Sequence, residues 1–292
     1  MPIGGASRRR PELCQDGPDA AHTKLQRLNG RADNIDPATA AALARLYDLD
    51  LAEDPGDLDL YLALAERTGG PILELAAGSG RLAIPLALAG NRVTAVDLDP
   101  AMLDRARAYA AREGVGPDQV SFVEADLLDL RLPDAGGYNL AFIALNSLMV
   151  LASRDAQKRA LRTLAHHLAP GGVATVDVWL PDAEDLARFD GRIILEWPRT
   201  DHETGRLVTK AGSATHDAAT GTVSLTTIFE EGDQGSSPHR WVRSDRLRLV
   251  SADELRAFAE DAGLVVEVMA GGYGLEPLGP GSERAILVAV KA

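Results

Sequence analysis

From Pro71 to Trp179 five short apolar runs take turns with helical segments. The runs fall at 72–75, 93–97, 120–125, 140–145 and 173–179, and helices are expected between them, notably at 102–112 and 155–168. Most of the runs are apolar on both faces, and strands of that kind joined by helices form a parallel sheet covered on each side. Pro170-Gly171-Gly172 is expected to turn the chain from the last helix into its strand. Helical spacing at 38–47 and 58–67 places two helices before the first strand. After Pro181 the pattern changes to consecutive strands at 193–197, 207–215, 223–230 and 241–250, separated by the turn-rich stretches 201–205 and 217–221. The alternating pattern then resumes. Ser251-Ala252-Asp253-Glu254 reads as a capping box opening a helix to Asp261, and strands follow at 264–269 and 285–290. These readings predict an α/β domain built from 71–189 and 251–292, interrupted by an antiparallel β insertion at 190–250. It is preceded by helices within 36–70 and a flexible leader at 1–35.

Composition removes several classes of function. The 292 residues carry 30 Lys+Arg against 43 Asp+Glu, a net charge of -13, which disfavours a nucleic-acid partner. A single cysteine, Cys14, excludes an intrachain disulfide, and with six scattered histidines it offers no metal-ligand pattern. No apolar run is long enough for a membrane span, and no signal-type segment follows Arg8, Arg9 and Arg10, so a cytoplasmic location is expected.

The first strand runs into Glu74-Leu75-Ala76-Ala77-Gly78-Ser79-Gly80-Arg81, with a helix directly after. Strand, glycine turn and helix N-terminus let a ligand approach the backbone closely. Acidic residues close the next two strands. Asp97 can accept from two ribose hydroxyls and Asp126 from an adenine amino group, and in an open parallel sheet such strand ends line one crevice.

On these residues the sequence resembles the class I S-adenosylmethionine-dependent methyltransferases, through Glu74 to Gly80, Val93 to Leu103, Glu124 to Leu127, and Tyr138 to Leu151. The resemblance implies a Rossmann-like, doubly wound, seven-stranded, mostly parallel sheet with an antiparallel β insertion after the fifth strand. It implies S-adenosylmethionine as cofactor, with S-adenosylhomocysteine as product. By that comparison the backbone of Ala76, Gly78 and Gly80 lies along the methionyl part and Glu74 fixes the loop. Asp97 holds the ribose with Leu98 beside it, and Met102, Asp126 and Leu127 border the adenine. Leu145, at the fourth motif, is a further candidate cofactor-binding residue, and Arg81 is a candidate partner for the cofactor carboxylate. Ala76 departs from the family's usual Gly and Asn139 from its usual Asp. The order of elements is similar to that of small-molecule N-methyltransferases acting on amino sugars. Val150 stands where some of those enzymes carry a His.

Methyl transfer from a sulfonium is an in-line displacement. A neutral amine needs positioning, whereas an unactivated hydroxyl needs a base. The reading is therefore N-methylation of a small-molecule amine, with O-methylation as the alternative. Asn146 and Trp179, at the fourth and fifth strand ends, and Tyr47, before the first strand, are the candidate catalytic residues, with Tyr61 a second candidate lid aromatic. His202, His216 and His239 are candidate bases in the insertion, while His166 and His167 fit a helix C-terminus as dipole partners. The insertion is expected to act as a substrate lid or as a homo-oligomer contact. A nicotinamide-dependent oxidoreductase is the rival enzyme, because Gly78, Gly80 and Ala83 satisfy a G-x-G-x-x-A pattern. None of the five tyrosines, however, is followed four positions later by Lys. A non-catalytic cofactor-binding protein is the alternative from another class.

Overall fold

The computed structural model describes residues 35–53, 55–233, 235 and 237–292. The expected leader, apart from Ile35, and Cys14 lie outside the described residues. Two helices come first, α1 (Pro37–Asp50) and α2 (Leu58–Thr68). Asp36 caps α1 by accepting the Ala38 and Thr39 amides, and Pro37 sits at the position where a missing N–H costs nothing.

The main sheet follows with β1 (Ile72–Leu75), α3 (Ala83–Leu88), β2 (Val93–Asp97), α4 (Pro100–Arg112), β3 (Val120–Glu124), β4 (Tyr138–Ile143), the short α5 (Ser147–Val150), α6 (Arg154–His167), β5 (Leu168–Trp179) and α7 (Ala183–Arg188). Four antiparallel strands then form a second sheet, β6 (Ile194–Thr200), β7 (Leu207–Asp217), β8 (Thr222–Gly232) and β9 (His239–Arg248). The chain returns through α8 (Ala252–Asp261), β10 (Leu264–Ala270) and β11 (Arg284–Lys291).

The seven strands of the main sheet lie in the order β10-β11-β5-β4-β1-β2-β3. β1 through β5 are mutually parallel where they pair, and β11 is antiparallel to both neighbours. This is the Rossmann-like, mostly parallel fold, with its strand order reversing between β1 and β4. The crevice beyond the carboxyl ends of those two strands is where such sheets take ligands. Two apolar layers flank the sheet. One contains Leu73, Leu75, Ile143, Leu161 and Phe258, and the other contains Tyr61, Ile72, Ile84, Leu140 and Ile286.

Local details refine the expectations. The Pro170-Gly171-Gly172 turn lies inside β5, where the pairing register jumps from Tyr138↔Leu168 to Leu140↔Val173. Ser251 does cap α8 through the Glu254 amide at 3.2 Å, but the Glu254 carboxylate turns to Arg248 at 2.8 Å, so the reciprocal half of the box is not made. The reciprocal box forms at Asp182 and Asp185 instead. Asn139, the departure from Asp, donates its side-chain amide to the carbonyls of Thr68 at 3.2 Å and Gly70 at 2.8 Å, a task that a carboxylate cannot perform. His167 is fully buried with Nδ1 at 2.8 Å from the Thr163 carbonyl, and burial lowers its pKa. It is therefore held towards the neutral form and does not serve as the expected cationic partner of the helix dipole.

The second sheet presents one face to α1. Register places Val208, Lys210 and His216 of β7 on the same face as Phe229 and Glu231 of β8 and Trp241, Arg243 and Asp245 of β9. Leu46 of α1 packs there on Val208 and Phe229. Ion pairs surround that contact. Arg45 meets Glu231 at 2.8 Å as well as Asp201, and Lys210 bridges Asp50 at 2.6 Å and Glu196 at 2.8 Å. Arg199 donates to the Leu49 carbonyl at 2.7 Å and the Asp50 carbonyl at 2.9 Å. Among the described residues no helix is long and apolar enough to cross a membrane.

Candidate functional site

The glycine loop begins where β1 ends, and its backbone explains its composition. Ala76, Gly78 and Gly80 all have positive φ, at 58°, 55° and 83°. For the two glycines that conformation is free of the Cβ clash, but for Ala76 it costs roughly 1–2 kcal/mol. The methyl group at the departure from Gly is thus paid for in backbone strain, not in lost space. The two glycines serve different ends. A Cβ at Gly78 would meet nothing within 4 Å, so that side of the loop is open. At Gly80 a Cβ would lie 2.8 Å from Ile84 Cδ1 and 3.2 Å from Ala106 Cβ, so Gly80 permits close packing of the loop on α3 and α4.

Asp97 ties the loop to the end of β2. Its Oδ2 accepts the Gly78 amide at 2.7 Å and its Oδ1 the Asp99 amide at 2.9 Å. Burial raises its pKa, opposed by those same amides. A carboxylate has about four lone-pair positions, so two remain for a ligand. Asp99 caps α4 through the Ala101 amide at 2.9 Å. Leu98 between them is 48 % exposed, an apolar side chain left uncovered at the crevice edge, while Met102 behind it is buried. Asp126, beyond β3, is exposed and accepts the Leu128 amide at 2.8 Å, and Leu127 packs partly against the core.

Glu74 is the most unusual group in the loop. It is 3 % exposed and its Oε2 has no hydrogen-bond partner among the described residues. Burial pushes its carboxyl up to about 8, partly offset by the positive charge of Arg81.

A methyltransferase-domain family model matches residues 72–172, the segment that holds these groups. The CcbJ methyltransferase of Streptomyces caelestis superimposes with a TM-score of 0.70 at 26 % identity, over 82 % of this chain and 92 % of that one. The cypemycin N-terminal methyltransferase of a Streptomyces species is 28 % identical over 75 % of this chain and 82 % of its own length. Residues 72–172 thus carry a methyltransferase domain, and these S-adenosylmethionine-dependent and other methyltransferases are what the chain is similar to. A sugar N-methyltransferase from Streptoalloteichus shares the fold of this chain, with a TM-score of 0.61 at 19 % identity over 100 % of this chain and 98 % of that one. A Mycobacterium tuberculosis relative is 35 % identical over 116 residues, and the chain spans only 39 % of that relative's length.

Around this crevice the chain places the remaining expected residues unevenly. Arg81, read as a partner for a cofactor carboxylate, forms a bidentate pair with the fully buried Asp57, at 2.6 and 2.7 Å. Two of its five donors are thereby spent on fastening the loop to the start of α2. Nothing in the spacing of Asp57 and Arg81 announces this pair. Tyr47 of α1 is half-buried, and burial raises its pKa against the nearby charges of Arg81 and Arg243. Tyr61 is fully buried and donates to Asp177 Oδ1 at 2.8 Å, so it is an internal residue and not a lid aromatic.

Asn146 and Trp179 are brought together. The Asn146 side-chain oxygen accepts the Trp179 amide at 2.5 Å, and the Trp179 ring lies 6.0 Å from that of Phe189. Leu145 and Asn146 both have positive φ, at 49° and 64°. Such strain costs roughly 1–3 kcal/mol per residue and persists only where the surroundings enforce it. Here the enforcing group is Asp177, whose Oδ1 accepts the Leu145 amide at 2.9 Å. Asp177 lies outside the expected set of site residues. Its signal, a carboxylate within the apolar run Val176-Asp177-Val178, is visible in the sequence.

Proposed function

We propose that the chain transfers a methyl group from S-adenosylmethionine to an amine nitrogen of a small molecule. The residues present fit that cofactor. Glu74 Oε2, buried and without a partner, matches a cationic amino group. Asp97 keeps two lone-pair positions beyond its two amides, and the open side of Gly78 leaves room for a ligand along the backbone. Leu98, Met102, Asp126 and Leu127 would border the adenine. When bound, the cofactor supplies an electrophilic methyl carbon on a positively charged sulfur.

The protein's own task is to present the acceptor. The observation that carries nitrogen over oxygen is the make-up of the β4–α5 turn. Ala144, Leu145, Asn146 and Ser147 offer a carbonyl, an amide and a hydroxyl, and no group that titrates near neutrality. Such a turn can orient a neutral amine but cannot deprotonate a hydroxyl. The cypemycin enzyme, whose name is that of an N-terminal methyltransferase, supports the same choice. Tyr47, α1 and the inner face of the second sheet would cover the acceptor and exclude water, the role expected of a lid.

One observation favours O-methylation as a second reading. The His216 amide donates to the Phe189 carbonyl at 3.3 Å, and the Phe189 ring adjoins Trp179, so a histidine of the inner face lies near the acceptor end. Incubation with methyl-labelled S-adenosylmethionine and matched panels of amines and alcohols, read by mass spectrometry, separates the two. Labelled amines that persist in His216→Asn support nitrogen. Labelled alcohols that vanish in that variant support oxygen.

A further inference from the structure

The glycine loop, Asp97 and Asp126 sit at the ends of β1, β2 and β3, and none of them contacts the fully buried carboxylate of Asp177 in β5. Four separate segments converge on that carboxylate. Tyr61 of α2 donates to Oδ1 at 2.8 Å, and the Leu145 amide, just beyond β4, donates to the same oxygen at 2.9 Å. Tyr273 of the β10–β11 loop donates to Oδ2 at 3.1 Å, and Arg284 of β11 approaches the same oxygen at 3.3 Å. Arg284 also donates to the Tyr273 hydroxyl at 2.5 Å, so the two donors on Oδ2 are themselves linked.

What this cluster holds is the turn beside the cofactor crevice. β4 pairs with β1 in the register Ile143↔Leu75, so the residues just after Ile143 run alongside the glycine loop. Within the turn the Ala144 carbonyl is taken by the Ser147 amide at 3.1 Å, and the Asn146 carbonyl by the Met149 amide at 2.8 Å. The Leu145 carbonyl accepts no hydrogen bond from any described residue. Two consecutive side-chain-bearing residues in the left-handed region would relax if their anchor were lost, and the free carbonyl would move with them.

We infer that Asp177 is a positioning residue for the transfer: by fixing Leu145 and Asn146 in their left-handed conformation, it holds the free Leu145 carbonyl and the Asn146–Trp179 pair where the acceptor must be oriented. Tyr61, Tyr273 and Arg284 hold Asp177 in turn. This rests on the proposed transfer to a small acceptor, but not on whether that acceptor is an amine or a hydroxyl. A carbonyl that accepts the acceptor's N–H or O–H would aim its lone pair, and a displacement of that alignment lowers the rate far more than it lowers binding.

The test is Asp177→Asn, with Tyr273→Phe as the milder variant that removes one donor and keeps the ring. Each is assayed by steady-state kinetics on the acceptor that the wild-type enzyme methylates best, with calorimetry against S-adenosylhomocysteine alongside. The expected result is a fall in kcat of tenfold or more for Asp177→Asn and of about threefold for Tyr273→Phe, with the acceptor KM and the S-adenosylhomocysteine affinity within threefold of wild type. A folded variant with unchanged kcat overturns the inference, as does a loss of cofactor affinity that matches the loss of kcat. If Asp177→Asn does not fold, Tyr273→Phe decides by the same criteria. If wild-type protein methylates no acceptor, it is the proposed function that fails. Hydrogen exchange at the Leu145 amide then decides this inference, with exchange at least tenfold faster in Asp177→Asn supporting the anchor and unchanged exchange overturning it.

Discussion

Burial of Glu74 makes a quantitative demand on the stability of the ligand-free protein. Its carboxyl is raised from 4.5 to about 8, chiefly by desolvation. Between those values the folded protein keeps a proton that the unfolded chain has released, so stability must fall as pH rises through that window. Each pH unit costs about 1.4 kcal/mol, giving about 3 kcal/mol by pH 7 and ~5 kcal/mol by pH 8. Against a total stability of roughly 5–15 kcal/mol for a domain, this is readily measured. Glu74→Gln removes the titrating group with little change of volume. Urea unfolding of both proteins at intervals from pH 5 to 8.5 should show the variant gaining on wild type steadily up to about pH 8 and levelling off above it. The slope of that difference isolates Glu74 from every other group titrating in the same range. Saturating S-adenosylhomocysteine, whose amino group would meet Glu74 Oε2, should flatten the wild-type curve. A difference that stays constant from pH 5 to 8 would refute the reasoning, because a carboxyl held high by burial cannot leave stability independent of pH.

Four further substitutions probe the loop and its anchor. Asp97→Ala should weaken S-adenosylhomocysteine binding about 10-fold to 150-fold in a folded protein, because hydrogen bonds to a charged group are worth roughly 1.5–3 kcal/mol, and calorimetry reads it directly. Ala76→Gly should stabilise the protein by about 0.5–1 kcal/mol, the relief of a left-handed alanine less the extra freedom of glycine when unfolded, visible as a rise in Tm. Gly80→Ala should cost about 2–4 kcal/mol through backbone strain and the contact with Ile84, whereas Gly78→Ala, facing open space, should cost about 1–2 kcal/mol and show its larger effect in cofactor affinity.

The parallel sheet was legible in the sequence because strands covered on both faces are apolar at consecutive positions, as in Leu140 to Ile143. The consecutive strands after Pro181 were legible for the complementary reason, since strands with one exposed face are broken by turn residues such as Thr204-Gly205 and Thr220-Gly221. The glycine loop announced itself because a positive φ at Gly78 and Gly80 leaves a mark in composition. Pairings across long sequence separations left no such mark. Asp57 and Arg81 meet only because α2 and the loop are brought together by the folded core, and each taken alone reads as an ordinary surface charge. Asp177 likewise looks like a misplaced charge in a strand until Tyr61, Leu145, Tyr273 and Arg284 converge on it. The attachment of α1 to the second sheet was equally hidden, because Arg45, Lys210 and Arg199 name no partner by their type.

The central claim is that the loop from Glu74 to Gly80 and the carboxylate of Asp97 hold S-adenosylmethionine. Calorimetric titration of the protein with S-adenosylhomocysteine and, separately, with NADH tests it most directly. One-to-one binding of S-adenosylhomocysteine and no heat with NADH are expected. Binding of NADH with none of S-adenosylhomocysteine would contradict it.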